Sequence, residues 1–254
     1  MPLEIVTIPC LKDNYAYLIH NSETGETALV DIPEAAPIEA VLAQKGWTLT
    51  DVLITHHHWD HIDGLEALSV GKARIIGAKA DAHRLPPLTL AVEDSSVLTI
   101  CGESVQILDV SGHTIGHIAF YFRKTGAIFT ADSLMVMGCG RLFEGSPEMM
   151  LGSMEKFAKM PDTTLLYSGH EYTAHNANFA QTVDPENTAL ITRITEISAA
   201  RDAGLPTIPS TLGQERATNP FLRYEDAHIR ATLNLQEASN VEVFAELRTR
   251  RNGF

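Results

Sequence analysis

Thr55-His56-His57-His58-Trp59-Asp60-His61 is the stretch on which the rest of the chain turns. The apolar run Val52-Leu53-Ile54 before it reads as a buried strand, and the residues after it read as a helix. Side chains alternate in extended backbone, so His56 and His58 share one face and His57 points away, towards packing or an outer hydrogen bond. Asp60 and His61 fall where the chain turns into the helix and can face a second ion. Imidazoles with carboxylates suit zinc, iron or manganese better than calcium or magnesium. Two nitrogen donors with a distant third leave an open coordination position, the arrangement of a catalytic site rather than a structural one.

The distant donors are expected at the ends of other strands. His113 follows the apolar run that ends at Val110, Asp132 follows Ile128-Phe129-Thr130, and His170 follows Leu166-Tyr167-Ser168-Gly169. Five histidines and two aspartates are enough for two ions if one carboxylate bridges them. A lone histidine beside an apolar run is ordinarily a hydrogen-bonded core residue, and a histidine run can be incidental. Neither explains the acid–histidine pair directly after this run, nor the recurrence at three strand ends. His20, His83, His117, His175 and His228 are read as ordinary structural histidines.

The chain has 254 residues, 44% apolar and 20% charged, which allows one large domain or a medium domain with a small one. No apolar stretch approaches the ~20 residues needed to span a bilayer. Residues 1–10 lack the features of an export signal and read as a first strand, so a cytoplasmic setting is expected. The net charge of −13 argues against nucleic acid, whose binding rests on neutralising phosphates. The three cysteines, Cys10, Cys101 and Cys139, form no CxxC pair and fit a reducing compartment.

Strands are expected over residues 5–8, 15–19, 27–32, 51–55, 73–76, 104–110, 117–122, 127–130 and 164–167. Helices are expected over residues 33–45, closed by Gly46, and 147–160, with proline at the start. From residue 173 no alternating strand is evident. Helix-like stretches cover 185–203, 226–233 and 241–250. The change of character places a domain boundary at residue 172.

The motif HxHxDH at His56–His61, with its three downstream donors, resembles the metallo-β-lactamase superfamily. Within it the chain is similar to the glyoxalase II (hydroxyacylglutathione hydrolase) family. That narrower likeness rests on Cys139-Gly140-Arg141-Leu142-Phe143-Glu144-Gly145, Gly169-His170-Glu171-Tyr172-Thr173 and Asn219-Pro220-Phe221-Leu222-Arg223. The resemblance implies an α+β fold, a four-layer αββα sandwich over residues 1–172, and an all-helical substrate-binding domain over 173–254. It implies two divalent ions, zinc first, with iron or manganese as alternatives. His56, His58 and His113 would hold one ion and Asp60, His61 and His170 the other, with Asp132 and a hydroxide bridging them. Asp60 and Asp132 are thus the candidate catalytic carboxylates. Arg141, Phe143, Tyr172, Arg248 and Arg251 match positions that hold the glutathione moiety. Phe143 stands where some members have tyrosine, and Asp63 where the family often has glycine.

The activity implied is hydrolysis of S-(2-hydroxyacyl)glutathione to glutathione and a 2-hydroxy acid, D-lactate from S-D-lactoylglutathione, as in methylglyoxal detoxification. A thiol of pKa about 8.5 departs as thiolate without a strong general acid, consistent with the lack of an obvious acid residue. The expected partner is the glutathione thioester, with neither nucleic acid nor membrane, and the expected state is a monomer. A persulfide dioxygenase with a single iron is the alternative within the superfamily. A β-lactamase fits less well, because Asp132 stands where cysteine is expected. A nuclease would need a basic surface.

Arg248-Thr249-Arg250-Arg251 concentrates positive charge in an acidic chain, and Arg248 and Arg251 share a helix face. Arg248→Ala is expected to raise KM for the thioester much more than it lowers kcat. Steady-state kinetics check this, and a kcat loss at unchanged KM would contradict the role.

Overall fold

A computed structural model describes residues 2–254, and the chain divides into two compact units. The first comprises residues 2–109 with Ile115–Ala131; the second comprises Val110–Thr114 with Asp132–Phe254.

The first unit is built on two sheets. Strands β1 (Glu4–Cys10), β2 (Asn14–His20) and β3 (Thr27–Val30) pair antiparallel. From β3 the pairing turns parallel, and a parallel step needs a crossover. Helix α1 (Ala35–Lys45) supplies it before β4 (Asp51–Leu53), and Ile38 packs into a core with Leu18, Leu29 and Val52. Gly46 ends the helix in the left-handed conformation, where a side chain would be strained. Helix α2 (Trp59–Ile62) follows the histidine run, and β5 (Arg74–Ala78) and β6 (Leu90–Val92) complete the sheet in parallel. Strands β7 (Val97–Ile100), β8 (Glu103–Asp109), β9 (Ile118–Phe122) and β10 (Ala127–Ala131) follow one another antiparallel. Tyr17 of β2 meets Phe129 of β10 with ring centroids 5.4 Å apart, so the two sheets share an apolar interior.

In the second unit, the chain from Asp132 forms a tight hairpin, β11 (Leu134–Met135) and β12 (Gly138–Cys139), which turns through Val136 and Met137. Helix α3 (Pro147–Ala158) starts as its proline indicates, behind an Ser146 hydroxyl that accepts the Met149 N–H. Strand β13 (Leu165–Ser168) leads to His170, and α4 (Thr173–Val183) and α5 (Thr188–Asp202) follow. One short strand breaks the helical run expected after residue 173: β14 (Ser210–Thr211) pairs with Leu165 and Leu166. Two residues are too few to leave an alternating pattern. Helices α6 (Leu212–Thr218), α7 (Ala227–Leu233) and α8 (Asn240–Gly253) complete the unit. Thr211 and Ser239 open α6 and α8 with capping boxes. No helix among the described residues is long and apolar enough to cross a membrane.

A buried carboxylate ties the hairpin to these helices. Glu215 of α6 accepts from Arg193 of α5, from the Ser210 hydroxyl at 2.6 Å, from the Met137 N–H at 2.8 Å and from Asn219 at 3.1 Å. Removing one member leaves the others buried without compensation. Glu215→Ala is therefore expected to destabilise the fold by about 3–5 kcal/mol, read from the urea midpoint at unchanged m-value.

Candidate metal centre

In the first unit, Asp31 orients two of the predicted donors. Its carboxylate, buried at the end of β3, accepts the Thr55 N–H at 2.9 Å, the Thr55 hydroxyl at 2.8 Å and His61 Nδ1–H at 2.8 Å. Because the Thr55 proton goes to Asp31, Thr55 Oγ1 is left as an acceptor for His56 Nδ1–H at 3.0 Å. Both imidazoles thus carry their proton on Nδ1 and present the Nε2 lone pair. The reading of His57 as an outer residue agrees with its contact to Asp81, at 2.8 Å. Asp60 is held by Asn14, whose amide donates to the Asp60 carbonyl and to Oδ2, each at 3.0 Å. That leaves Asp60 Oδ2 at 4.0 Å from His61 Nε2. The His56 and His58 rings meet edge to face at 4.7 Å, and buried His117 stacks on His56 at 4.5 Å. Asp63 is exposed, beginning a 3₁₀ turn.

In the second unit, His113, Asp132 and His170 converge. Asp132 Oδ2 lies 3.5 Å from His113 Nε2 and 3.3 Å from His170 Nε2. His113 Nδ1–H donates to the Arg141 carbonyl at 2.8 Å, and a carbonyl can only accept, so Nε2 of the neutral ring bears a lone pair. That nitrogen faces a carboxylate oxygen, a pairing made favourable by a proton or a metal ion between them. In each unit by itself, imidazoles beside a carboxylate, with protons directed to the outer nitrogens wherever the partner decides, are the donor chemistry that suits a transition metal.

Backbone packing fixes this second set. The Phe143 N–H donates to the His113 carbonyl and the Gly145 N–H to that of Gly112, at 3.1 and 3.2 Å. Gly140 passes so close that a Cβ there would lie 2.0 Å from the Asp132 carbonyl oxygen and 2.8 Å from His113 Nδ1. Only glycine permits this approach.

The residues predicted to hold substrate lie in the same unit. Exposed Phe143 stands edge-on to the His113 ring at 5.3 Å, and Tyr172 stacks on the His170 ring at 4.6 Å. Arg248 is 4% exposed. Its Nη1 donates to the Cys139 carbonyl at 2.6 Å, and its guanidinium lies over the Phe221 ring at 5.3 Å. Truncating it would therefore also weaken the fold. Arg251 donates to Asn176, and burial, then repulsion from Arg248 and Arg141, pull its pKa down to about 10, so it remains a cation at neutral pH. Arg141, Arg248 and Arg251 form no ion pair among the described residues. Cys139 is buried and its thiol is pushed up by that burial, which makes it no nucleophile.

Residues 12–170 match the family model described as the metallo-beta-lactamase superfamily, and residues 171–254 match that of the hydroxyacylglutathione hydrolase C-terminus. The chain is 58% identical to a protein of Ruegeria pomeroyi named hydroxyacylglutathione hydrolase, over all of both chains. It is 57% identical to one of the same name from Roseobacter denitrificans, again over all of both. The chain belongs to the hydroxyacylglutathione hydrolase family. Among solved structures, the BLEG-1 B3 metallo-beta-lactamase is 21% identical with a TM-score of 0.67, over 86% of this chain and 99% of that one. ETHE1 from Myxococcus xanthus is 22% identical with a TM-score of 0.63, over 99% and 98%. These likenesses show the fold, an α+β sandwich of the metallo-β-lactamase type with a helical C-terminal region. The dioxygenase alternative is not favoured beside full-length relatives that carry the hydrolase name.

Reading the sequence missed Asp31, Thr55 and Asn14 behind the donors, and Asn176 behind Arg251. One of them carries a usable signal. The rule that selected Asp132, an ionisable residue one to three positions past an apolar run, also selects Asp31 after Ala28-Leu29-Val30. Asp31→Ala is expected to weaken metal binding about 10–100-fold, measured by competition with a chromophoric chelator. Unchanged affinity would show that His56 and His61 hold their tautomers without it.

Proposed function

We propose that this chain hydrolyses S-(2-hydroxyacyl)glutathione thioesters, converting S-D-lactoylglutathione to glutathione and D-lactate. The observation that carries the reading is the set of unpaired cations beside metal donors in the second unit. Arg141, Arg248 and Arg251 lack carboxylate partners in a chain of net charge −13. Glutathione brings two carboxylates, and guanidinium groups receive carboxylates through paired hydrogen bonds. Backbone contacts link the arginines to the donors. Arg141 accepts from His113 through its carbonyl, and Arg248 donates to the Gly140 carbonyl at 3.4 Å, where Gly140 crosses Asp132 and His113.

His56, His58 and His113 would hold one ion and Asp60, His61 and His170 the other, with Asp132 available to both. Zinc is the expected metal, with iron and manganese suited to the same donors. Two such ions supply hydroxide at neutral pH and polarise the thioester carbonyl. The chain's own residues do the rest. Asp31 and the Arg141 carbonyl hold imidazole protons on the outer nitrogens, Tyr172 backs His170, and the arginines fix the glutathionyl group so that its thioester meets the donors. The helical segment 173–254 is assigned to substrate binding, since it contributes Arg248 and Arg251. Phe143 offers the substrate a phenyl face without a hydroxyl. A monomer in the cytoplasm fits this reading, in keeping with three free, buried cysteines.

The test is turnover of S-D-lactoylglutathione by the purified protein, before and after chelation, with metal content measured on the same sample. Hydrolysis that tracks about two bound ions per chain and returns on adding metal is the expected result. A sample holding two ions that leaves the thioester intact would overturn the proposal.

A further inference from the structure

Asn176 sits in the first half of α4, is 3% exposed, and belongs to neither the donor set nor the predicted glutathione contacts. Its side chain joins two features of the second unit. The amide Nδ2 donates to the Val136 carbonyl at 3.0 Å, in the turn between β11 and β12. A carbonyl only accepts, so this bond fixes which way the amide faces and leaves Oδ1 towards α8. There Oδ1 accepts from Arg251 Nε at 3.2 Å and from Arg251 Nη2 at 2.9 Å. Two of the five guanidinium N–H groups are thereby engaged along one edge. The Nη1 pair and the second Nη2 proton remain for an incoming acceptor.

The amide's neutrality matters as much as its geometry. A carboxylate in this place would pair with Arg251 and compete with any anion that Arg251 is to bind. An apolar residue would leave the guanidinium unoriented, in a place where burial and then the charges of Arg248 and Arg141 already lower its pKa. The site is also filled to shape. Gly138 lies so near that a Cβ would stand 2.7 Å from Asn176 Nδ2, so the hairpin passes directly over the amide.

We propose that Asn176 is a positioning residue for substrate recognition: it holds Arg251 through its Nε–Nη2 edge and leaves the remaining N–H groups for a carboxylate of the glutathionyl group. This rests on the glutathione thioester reading above and adds to it a residue that acts through Arg251.

The decisive variant is Asn176→Asp, nearly isosteric, which replaces a neutral acceptor with a competing anion. KM for S-D-lactoylglutathione is expected to rise by about 10-fold or more with kcat within about twofold, and inhibition by free glutathione to weaken in parallel. Asn176→Ser, which removes the acceptor without adding charge, is expected to raise KM by a smaller factor. The thioester whose glycine carboxylate is converted to an amide separates positioning from general damage: if Arg251 receives that carboxylate, Asn176→Asp shifts its KM little; if it receives the γ-glutamyl carboxylate, the corresponding shift is lost with that group blocked instead. In the unaltered protein the Arg251 Nε–H is expected to exchange slowly with solvent, which NMR reads even if both variants fail to fold. A fast-exchanging Nε–H, or folded variants with unchanged KM, would overturn the proposal. A wild-type protein that holds metal but leaves the thioester intact fails the parent reading instead, a separable outcome.

Discussion

An imidazole can hand a metal only the nitrogen that has no proton, so whatever receives the other nitrogen's proton decides whether the ring is a ligand at all. In the first unit that receiver is Asp31, directly for His61 and through the Thr55 hydroxyl for His56. Asp31 sits at a left-handed backbone position, φ 56°, a conformation that aspartate tolerates better than most residues. The turn aims its carboxylate back at the end of β4 instead of letting it continue along the strand. Its burial strengthens each bond it accepts and makes the loss of any one costly. The HxHxDH run supplies donors, and this carboxylate from a neighbouring strand gives two of them the right protonation.

The second unit solves a related problem with backbone. Behind His113 the Arg141 carbonyl does that work, and Gly140 lets the chain come near enough to deliver it. The same short segment then serves the arginines, since the Cys139 and Gly140 carbonyls receive Arg248. Below it, Glu215 and Asn219 anchor the β11–β12 hairpin through Met137, Met135 and Gly138. Asn219 and Phe221 belong to a motif that supplies no metal donor, and they bear on the site by supporting the hairpin and lying under Arg248.

What the sequence made legible follows from this division of labour. Metal donors must be particular residue types near strand ends, and that leaves a mark in the linear order. Helices α1 and α3 were readable through Gly46 and Pro147, which punctuate the chain locally. Helix α4 was not, because Thr173–Val183 is rich in alanine and asparagine and has no strong apolar face. Strands β6 and β7, of three and four residues, were too short to show alternation. The supporting residues were hidden for a different reason. Asp31 meets Thr55 24 residues on, Asn14 meets Asp60 46 on, and Asn176 meets Arg251 75 on. Such pairings are set by the fold, and even where a residue is marked, as Asp31 is by the apolar run before it, nothing near it in sequence announces its partner.

The arginines without acidic partners have a consequence for how ions in solution act on the protein. A chain of net charge −13 repels an anionic ligand at long range, while Arg141, Arg248 and Arg251, in the role proposed for them, would attract it at contact. Salt at physiological strength screens charges beyond about 8 Å, so it relieves the distant repulsion more than it weakens the close, partly buried attraction. Encounter and retention therefore respond to ionic strength in opposite directions. The enclosure of Arg248 and Arg251 shields the second from the salt that assists the first.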